Sequence, residues 1–217
     1  RGPTGSAGQL GATHSQSFDN WFANCPGLKV VVPSNPYDAK GLLKSSIRDN
    51  NPVIFMESEQ MYGDKADVTE DEYVIPIGKA NVISQGDDVT IVSYGKMLKR
   101  VTEASQKLKQ DNINVEIIDL RTLRPIDYET IVSSVKKTNR LIIVEESWPL
   151  GSISSEISYK IQKDAFDFLD APVNRICSAD TPMAYSPPLV DAFLPSVEKI
   201  IDSVSYTHLR AHETAYY

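Results

Sequence analysis

Apolar positions along this chain alternate between runs that suit strands and spacings that suit helices. Leu28-Lys29-Val30-Val31-Val32 is a β-branched run closed by Pro33 and predicts a strand. Ala39, Leu42, Leu43 and Ile47 then share one face of a helix over Tyr37 to Arg48. Pro52 to Glu57 predicts a second buried-type strand, followed by an acidic loop from Tyr62 to Glu72. Ahead of these, Phe18, Trp21 and Phe22 recur at i, i+3 and i+4. They predict a short helix packed by aromatics, capped by Ser15 or Ser17 and ended by Pro26-Gly27. A domain boundary is expected near Tyr73 to Gly78.

The second half repeats the alternation. Ala80 to Ile83 and Val89 to Ser93 flank the turn Gln85-Gly86-Asp87-Asp88, which favours an antiparallel pair. Met97, Leu98, Val101, Ala104 and Leu108 mark a helix, Val115 to Asp119 a strand, Ile131 to Val135 a helix face, and Leu141 to Val144 a strand. A helix from about Ser152 to Gln162, a strand at Asn174 to Cys177 and a final helix from Leu189 to Val204 follow. Such alternation predicts a mostly parallel sheet covered on both faces.

Composition narrows the function classes. The 217 residues are 41% hydrophobic, enough for one or two cored domains, and 22 basic against 29 acidic residues give a net charge of −7. No dense Lys/Arg run exists to attract a phosphate backbone or an anionic lipid surface, so neither nucleic acid nor membrane is an expected partner. No apolar run approaches the roughly 20 residues that span a bilayer. Cys25 and Cys177 stand alone, without zinc-site spacing, and read as free thiols of a reducing compartment.

The opening at Arg1, inside the Gly-rich loop Arg1 to Gly8, reads as a fragment whose upstream part is missing. The closing stretch Ser205 to Tyr217 does not read like what precedes it. It suggests non-native translated sequence and a poorly packed tail, which discounts His208 and His212. That leaves His14, in Gly11-Ala12-Thr13-His14-Ser15-Gln16-Ser17 where a loop enters a helix, as the first candidate for proton chemistry. There is no GxGxxG, phosphate loop, nucleophile elbow or HExxH. From pattern alone a lone loop histidine is as often structural as catalytic, and both readings stay open.

Several motifs in order carry a resemblance. Gly2-Pro3-Thr4-Gly5, Gly11-Ala12-Thr13-His14-Ser15-Gln16, Cys25-Pro26-Gly27-Leu28-Lys29-Val30-Val31, Asp38 to Leu43, Ile47 to Val53 and Ile118 to Pro125 closely resemble the beta subunits of thiamine-diphosphate-dependent 2-oxo acid dehydrogenases. The likeness continues through Val144-Glu145-Glu146, Leu169 to Pro172 and Ala179 to Pro182. Ile47 to Pro52 and Met61-Tyr62-Gly63 tilt it toward members acting on pyruvate. Branched-chain 2-oxo acid or acetoin dehydrogenation, or a non-catalytic assembly module, are the alternatives.

The resemblance implies an α/β fold: residues 1 to 75 as the latter part of a pyrimidine-binding domain, and residues 76 to 204 as a transketolase C-terminal-like three-layer α/β/α domain. It implies oxidative decarboxylation of pyruvate with acetyl transfer to lipoamide, in the bacterial cytoplasm or the mitochondrial matrix. Thiamine diphosphate and magnesium would be shared with an alpha subunit in an alpha2beta2 heterotetramer, which meets a dihydrolipoyl acyltransferase core and its lipoyl domain. His14 would give a hydrogen bond or proton to the substrate's developing oxyanion, its proton tuned by the positive end of the helix just after it. The cofactor-activating glutamate and the magnesium motif fall outside this sequence, so the fragment alone is expected to be inactive and carries no assigned cofactor-binding residue. A structural potassium ion is implied in the loop after the second helix, with Ser46, Ile47, Asp49 and Asn51 as ligands, mainly through backbone carbonyls. Trp148, Arg121 and Arg124 follow strand ends, where packing and interdomain ion pairs are the expected roles.

Overall fold

The computed structural model describes the backbone of residues 1–214 and the side chains of residues 1–207. In chain order its elements are β1 (Gly2–Pro3), α1 (Asp19–Ala23), β2 (Lys29–Val31), α2 (Pro36–Arg48), β3 (Val53–Glu57), β4 (Asn81–Ser84), β5 (Val89–Ser93) and α3 (Met97–Leu108). There follow β6 (Val115–Asp119), β7 (Thr122–Arg124), α4 (Tyr128–Thr138), β8 (Leu141–Val144), α5 (Ile153–Asp164), β9 (Asn174–Ile176), α6 (Pro187–Phe193) and α7 (Val197–Thr214). No described helix is long and apolar enough to cross a membrane.

Two sheets result. The larger has strand order β4-β6-β5-β8-β9, parallel except at β4. Its central strands are apolar at successive positions because both faces are covered. Ile91, Ile117 and Ile142 enter a core built with Val101 and Leu108 of α3 and Ile200 and Val204 of α7. Their neighbours Val92, Ile118 and Ile143 point the other way, against Ile131 and Val135 of α4 and Ile157 and Ile161 of α5. The α/β/α layering expected of this half is what forms. Each fully buried Ile or Leu contributes about 1.5–3 kcal/mol relative to exposure.

The smaller sheet has order β1-β3-β2-β7. Strands β1 and β2 run parallel to β3, and α2 seals one side through Leu42, which packs with Val31, Phe55 and Ile75. Its last strand comes from the second half. After β6 the chain crosses over, and Thr122–Arg124 pairs antiparallel with β2.

Three expectations are corrected. Strands β4 and β5 do not pair with each other; β4 lies antiparallel to β6, which separates it from β5. The reason is local: the turn between β4 and β5 grips the start of β6 instead of folding back. Asp88 N–H donates to Asn114 O at 3.1 Å, Asn114 N–H donates to Asp88 Oδ2 at 2.6 Å, and Gly86 lies against the Asn114–Val115 backbone. The final helix is two, because Leu194 precedes Pro195 and takes the extended conformation that position favours. Helix α7 runs on through Thr214, with Thr207 buried and its hydroxyl donating to Ser203 O at 2.8 Å; the poorly packed tail expected over Ser205 to Tyr217 falls mostly outside the described side chains. The side chains of His208, Leu209 and His212 and all of Tyr216 lie outside the described residues. Finally, α1 buries Asp19 and Ala23 rather than an aromatic face; Trp21 is 64% exposed, and neither Ser15 nor Ser17 caps the helix.

A side chain at Gly86 has no room, since its Cβ would stand 2.6 Å from the Asn114 carbonyl carbon. Gly86→Ala is expected to destabilise by about 1–3 kcal/mol, as overpacking against backbone does. An unchanged urea midpoint would show that the turn does not set the β4–β6 pairing.

Candidate active site

The candidate site forms where the glycine-rich opening segment meets the C-terminal ends of β5 and β8. Such strand ends gather polar groups because the backbone there leaves the ladder and side chains splay outward. Beyond β5 come Tyr94, Gly95 and Lys96; beyond β8 come Glu145, Glu146 and Ser147. Of the four side chains among them that can carry charge, Tyr94, Lys96 and Glu145 are buried and Glu146 is 10% exposed.

Lys96 and Glu146 clamp the opening segment. Lys96 Nζ reaches Glu146 Oε1 at 2.7 Å and Ser6 O at 2.8 Å and also contacts Ser6 Oγ, while Ser6 N–H donates to Glu146 Oε1 at 2.5 Å. Burial pushes the lysine down and the glutamate up, and their mutual attraction opposes both. Gly5 sits here with φ +74, and a Cβ on it would lie 2.7 Å from the Glu146 carboxyl carbon. Only glycine gives both the conformation and the approach.

A second group lies deeper. Asp19, buried at the start of α1, accepts from Ser17 Oγ at 2.5 Å, from Ser147 Oγ at 3.1 Å and from Tyr94 OH at 2.5 Å. Tyr94 OH also lies 3.0 Å from Glu145 Oε2. Burial pushes the Tyr94 phenol well up, with the Asp19 and Glu145 carboxylates adding to it.

His14 sits at the outer end of the same segment. It is exposed, with Nδ1 2.9 Å from Thr13 Oγ1 and, among the described residues, no partner on Nε2. Its backbone closes a 3-10 turn over Gly11–Thr13, and the Tyr185 ring lies on Gly11. The expected helix entry is corrected: α1 begins only at Asp19 and is five residues long, so no macrodipole acts on the imidazole.

The potassium candidates lie elsewhere, at the C-terminal end of α2. Asp49 is the C-cap, and its carboxylate is taken by the Lys29 ammonium and by the N–H and Nδ2 of Asn51, both at 2.9 Å. The lysine contact, seconded by Asn51, holds the Asp49 carboxyl down at about 2. Ser46 Oγ donates to Leu42 O at 2.8 Å, and Ile47 is 76% exposed. The Asp49 carboxylate is therefore committed, which leaves mainly neutral oxygens as donors to a cation. Among the described residues no group of three or more His, Cys, Asp and Glu side chains is arranged to hold a metal.

A further joint binds the halves beside β7. Arg121, at φ +59, forms a two-pronged pair with Asp38 at 2.8 and 2.7 Å, and Arg124 Nη1 donates to Ala23 O at 2.6 Å. Trp148 packs edge-on to Phe18 and donates to Thr181 O at 3.0 Å. Trp148 packs and Arg121 forms an ion pair, as expected of them, whereas Arg124, also expected to form an ion pair, binds a backbone carbonyl instead. A recess of about 820 Å3 between α1 and α5, lined by Asn20, Ala23, Arg124, Tyr128, Ser152 and Glu156, does not include His14.

Sequence reasoning missed Asp19, Tyr94 and Lys96. The one available signal was Glu145-Glu146, two acids directly after an apolar strand.

This chain belongs to the transketolase family, matching the transketolase C-terminal domain over residues 78–200 and the transketolase pyrimidine-binding domain over residues 1–65. Among curated proteins it is 48% identical over 207 residues to the mitochondrial pyruvate dehydrogenase E1 component subunit beta of Dictyostelium discoideum, covering 94% of this chain and 58% of that one. The corresponding subunit of Rhizobium meliloti is 47% identical over 205 residues, covering 94% of this chain and 45% of that one. The chain thus spans about half the length of these relatives. Among solved structures, a split-gene transketolase described as an inactive beta4 tetramer superposes with a TM-score of 0.80 at 21% identity, covering 97% of this chain and 66% of that one, which speaks for the fold.

Asp119, at the end of β6, accepts from Ser34 Oγ at 2.9 Å and from Arg121 N–H at 3.1 Å, and its Oδ2 has no partner. Burial pushes its carboxyl up to about 7, the two hydrogen bonds opposing. The folded state therefore holds a proton that the unfolded chain releases near pH 4, so this group's contribution is full below that pH and is lost as pH rises toward 7. Asp119→Asn should remove that slope, gaining on the parent protein by up to roughly 1.4 kcal/mol per pH unit across this window. Parallel stability curves from pH 5 to 7 would rule the buried proton out.

Proposed function

We propose that this chain is part of the beta subunit of a pyruvate-decarboxylating dehydrogenase component, with residues 1 to 75 completing a pyrimidine-binding domain and residues 76 to 204 forming the assembly domain. The observation that carries this reading is His14: an exposed imidazole tethered through Nδ1, with Nε2 open, on a segment that Lys96, Glu146 and Tyr185 hold in place. The chain as a whole is similar to relatives named for that activity.

Thiamine diphosphate, bound with magnesium between this subunit and an alpha partner, supplies the electron sink that decarboxylation of a 2-oxo acid requires. His14 faces the reacting carbonyl. The Thr13 hydroxyl has one proton, which serves either Leu10 O at 3.4 Å or His14 Nδ1 at 2.9 Å. The second choice leaves the imidazole proton on Nε2, ready for donation to the substrate oxygen and later to the lipoyl sulfur during acetyl transfer. The polar joint beneath keeps the backbone of that loop from drifting as substrate enters, which is how a loop residue attains a fixed reach.

In the reconstituted heterotetramer, His14→Ala should leave melting temperature and cofactor affinity nearly unchanged, because an exposed side chain contributes little packing. Turnover should fall roughly 100-fold or more, the scale of losing a positioned acid or base. Loss of stability with normal turnover per folded molecule would make His14 structural.

The reading extends to a potassium ion at the end of α2, held by the carbonyls of Ser46, Ile47, Asp49 and Asn51. The commitment of Asp49 to Lys29 restricts it to such neutral donors. Thermal stability of the assembled protein should then rise with potassium more than with lithium at equal ionic strength. Superimposable melting curves in the two salts would remove the ion.

A further inference from the structure

Two carboxylates share one phenol in the dry joint between the halves. Tyr94 OH lies 2.5 Å from Asp19 Oδ2 and 3.0 Å from Glu145 Oε2, and all three residues are buried. A phenol carries one proton and can donate once, so two ionised carboxylates would leave one of these contacts as oxygen facing oxygen without a hydrogen between them. A second proton must be present.

Donor counting says where it is. Asp19 accepts from Ser17 Oγ and Tyr94 OH at 2.5 Å each and from Ser147 Oγ at 3.1 Å, and three hydroxyl donors converging on one carboxylate favour its ionised form. Glu145 has longer contacts: the Ser154 N–H is shared between its two oxygens at 3.3 Å each, Cys177 Sγ stands 3.5 Å away, and Ser152 is its remaining serine donor. We propose that Glu145 is a neutral carboxylic acid whose proton goes to the Tyr94 oxygen, so that a directed chain, Glu145 to Tyr94 to Asp19, fixes the segment bearing His14. Glu145 is thus a positioning residue, and its consequence for turnover rests on the catalytic reading of His14.

The surroundings agree. The titratable and charged groups facing Glu145 are Asp19 from α1, Tyr94 beyond β5, Cys177 beyond β9 and, further out, Arg175 of β9. The Arg175 guanidinium is spent on Pro149 O at 3.0 Å and Ser155 Oγ at 2.5 Å. No cation contacts Glu145 among the described residues, whereas the adjacent Glu146 has Lys96 at 2.7 Å. Two consecutive glutamates therefore meet opposite fates, one ion-paired and one neutral. The start of α5 favours a negative Glu145 through the Ser154 N–H, but a long, shared bond at a helix end is a small effect beside a second unpaired buried charge next to Asp19. Burial pushes the Glu145 carboxyl up accordingly, against its hydrogen bonds to Ser152 and Ser154.

Infrared spectroscopy of the folded protein in heavy water tests this directly. In an Asp119→Asn background, which removes the other buried proton, the carbonyl stretch of a buried protonated carboxylic acid should be present at neutral pH, absent when Glu145→Gln is added and retained when Asp19→Asn is added. Glu145→Gln, whose amide can donate to the Tyr94 oxygen, should keep the parent melting temperature at neutral pH and abolish the alkaline loss that ionisation of Glu145 causes in the parent. In the assembled enzyme the alkaline fall of kcat, with KM unmoved, should shift to higher pH in the same variant. A band that survives Glu145→Gln and vanishes in Asp19→Asn would put the proton on the wrong residue, and no band attributable to either would overturn the proposal. A band that behaves as expected, with His14→Ala turning over normally, would retain the proton and discard the catalytic reading.

Discussion

The structure depends on a strand that the second half lends to the first. Without β7, strand β2 would end the smaller sheet with a row of unpaired N–H and C=O groups, an edge that invites wrong partners. Thr122–Arg124 closes it, and the chain can reach β2 only by leaving β6 abruptly. That exit puts Arg121 in a left-handed conformation that costs a non-glycine residue energy, and its two-pronged pair with Asp38 offsets the strain. The N-terminal turn of α2 is held in place by the same contact.

From that crossing follows a dry interface in which water cannot solvate charge. Each ionisable group there has found a separate solution. Lys96 and Glu146 attract each other across the joint, Asp38 takes Arg121, Asp119 holds a proton, and Asp19 collects hydroxyl donors. Breaking any one of these leaves an unpaired buried group, which is more costly than the intact contact is favourable. The joint is therefore specific rather than merely adhesive, and specificity is what a loop-borne imidazole needs.

Much of the fold was legible from residues alone. β8 is an unbroken apolar run, β5 and β6 are β-branched and mostly apolar, and α3 has a clean apolar stripe, so burial on two faces was written in the pattern. β7 was not, because three residues show no period and its partner lies far upstream. The local turn rule misled at β4, where a non-local strand outcompeted the hairpin. His14 stood out through its motif and the family likeness. The Asp19, Tyr94 and Glu145 group did not, because its members come from three distant segments and only the tertiary structure converts ordinary polar residues into a proton-sharing set.

The lent strand also sets how this architecture can be rearranged in evolution. A gene divided at the linker near Gly78 would encode two pieces, one with an open sheet edge and the other with an unhoused strand. Each would be obliged to find its complement, whether from the same parent chain or from another copy exchanging strands with it. The halves are separate in sequence yet inseparable as folding units, so recombination that shuffles one of them must carry the Thr122–Arg124 crossing along or invent another closure.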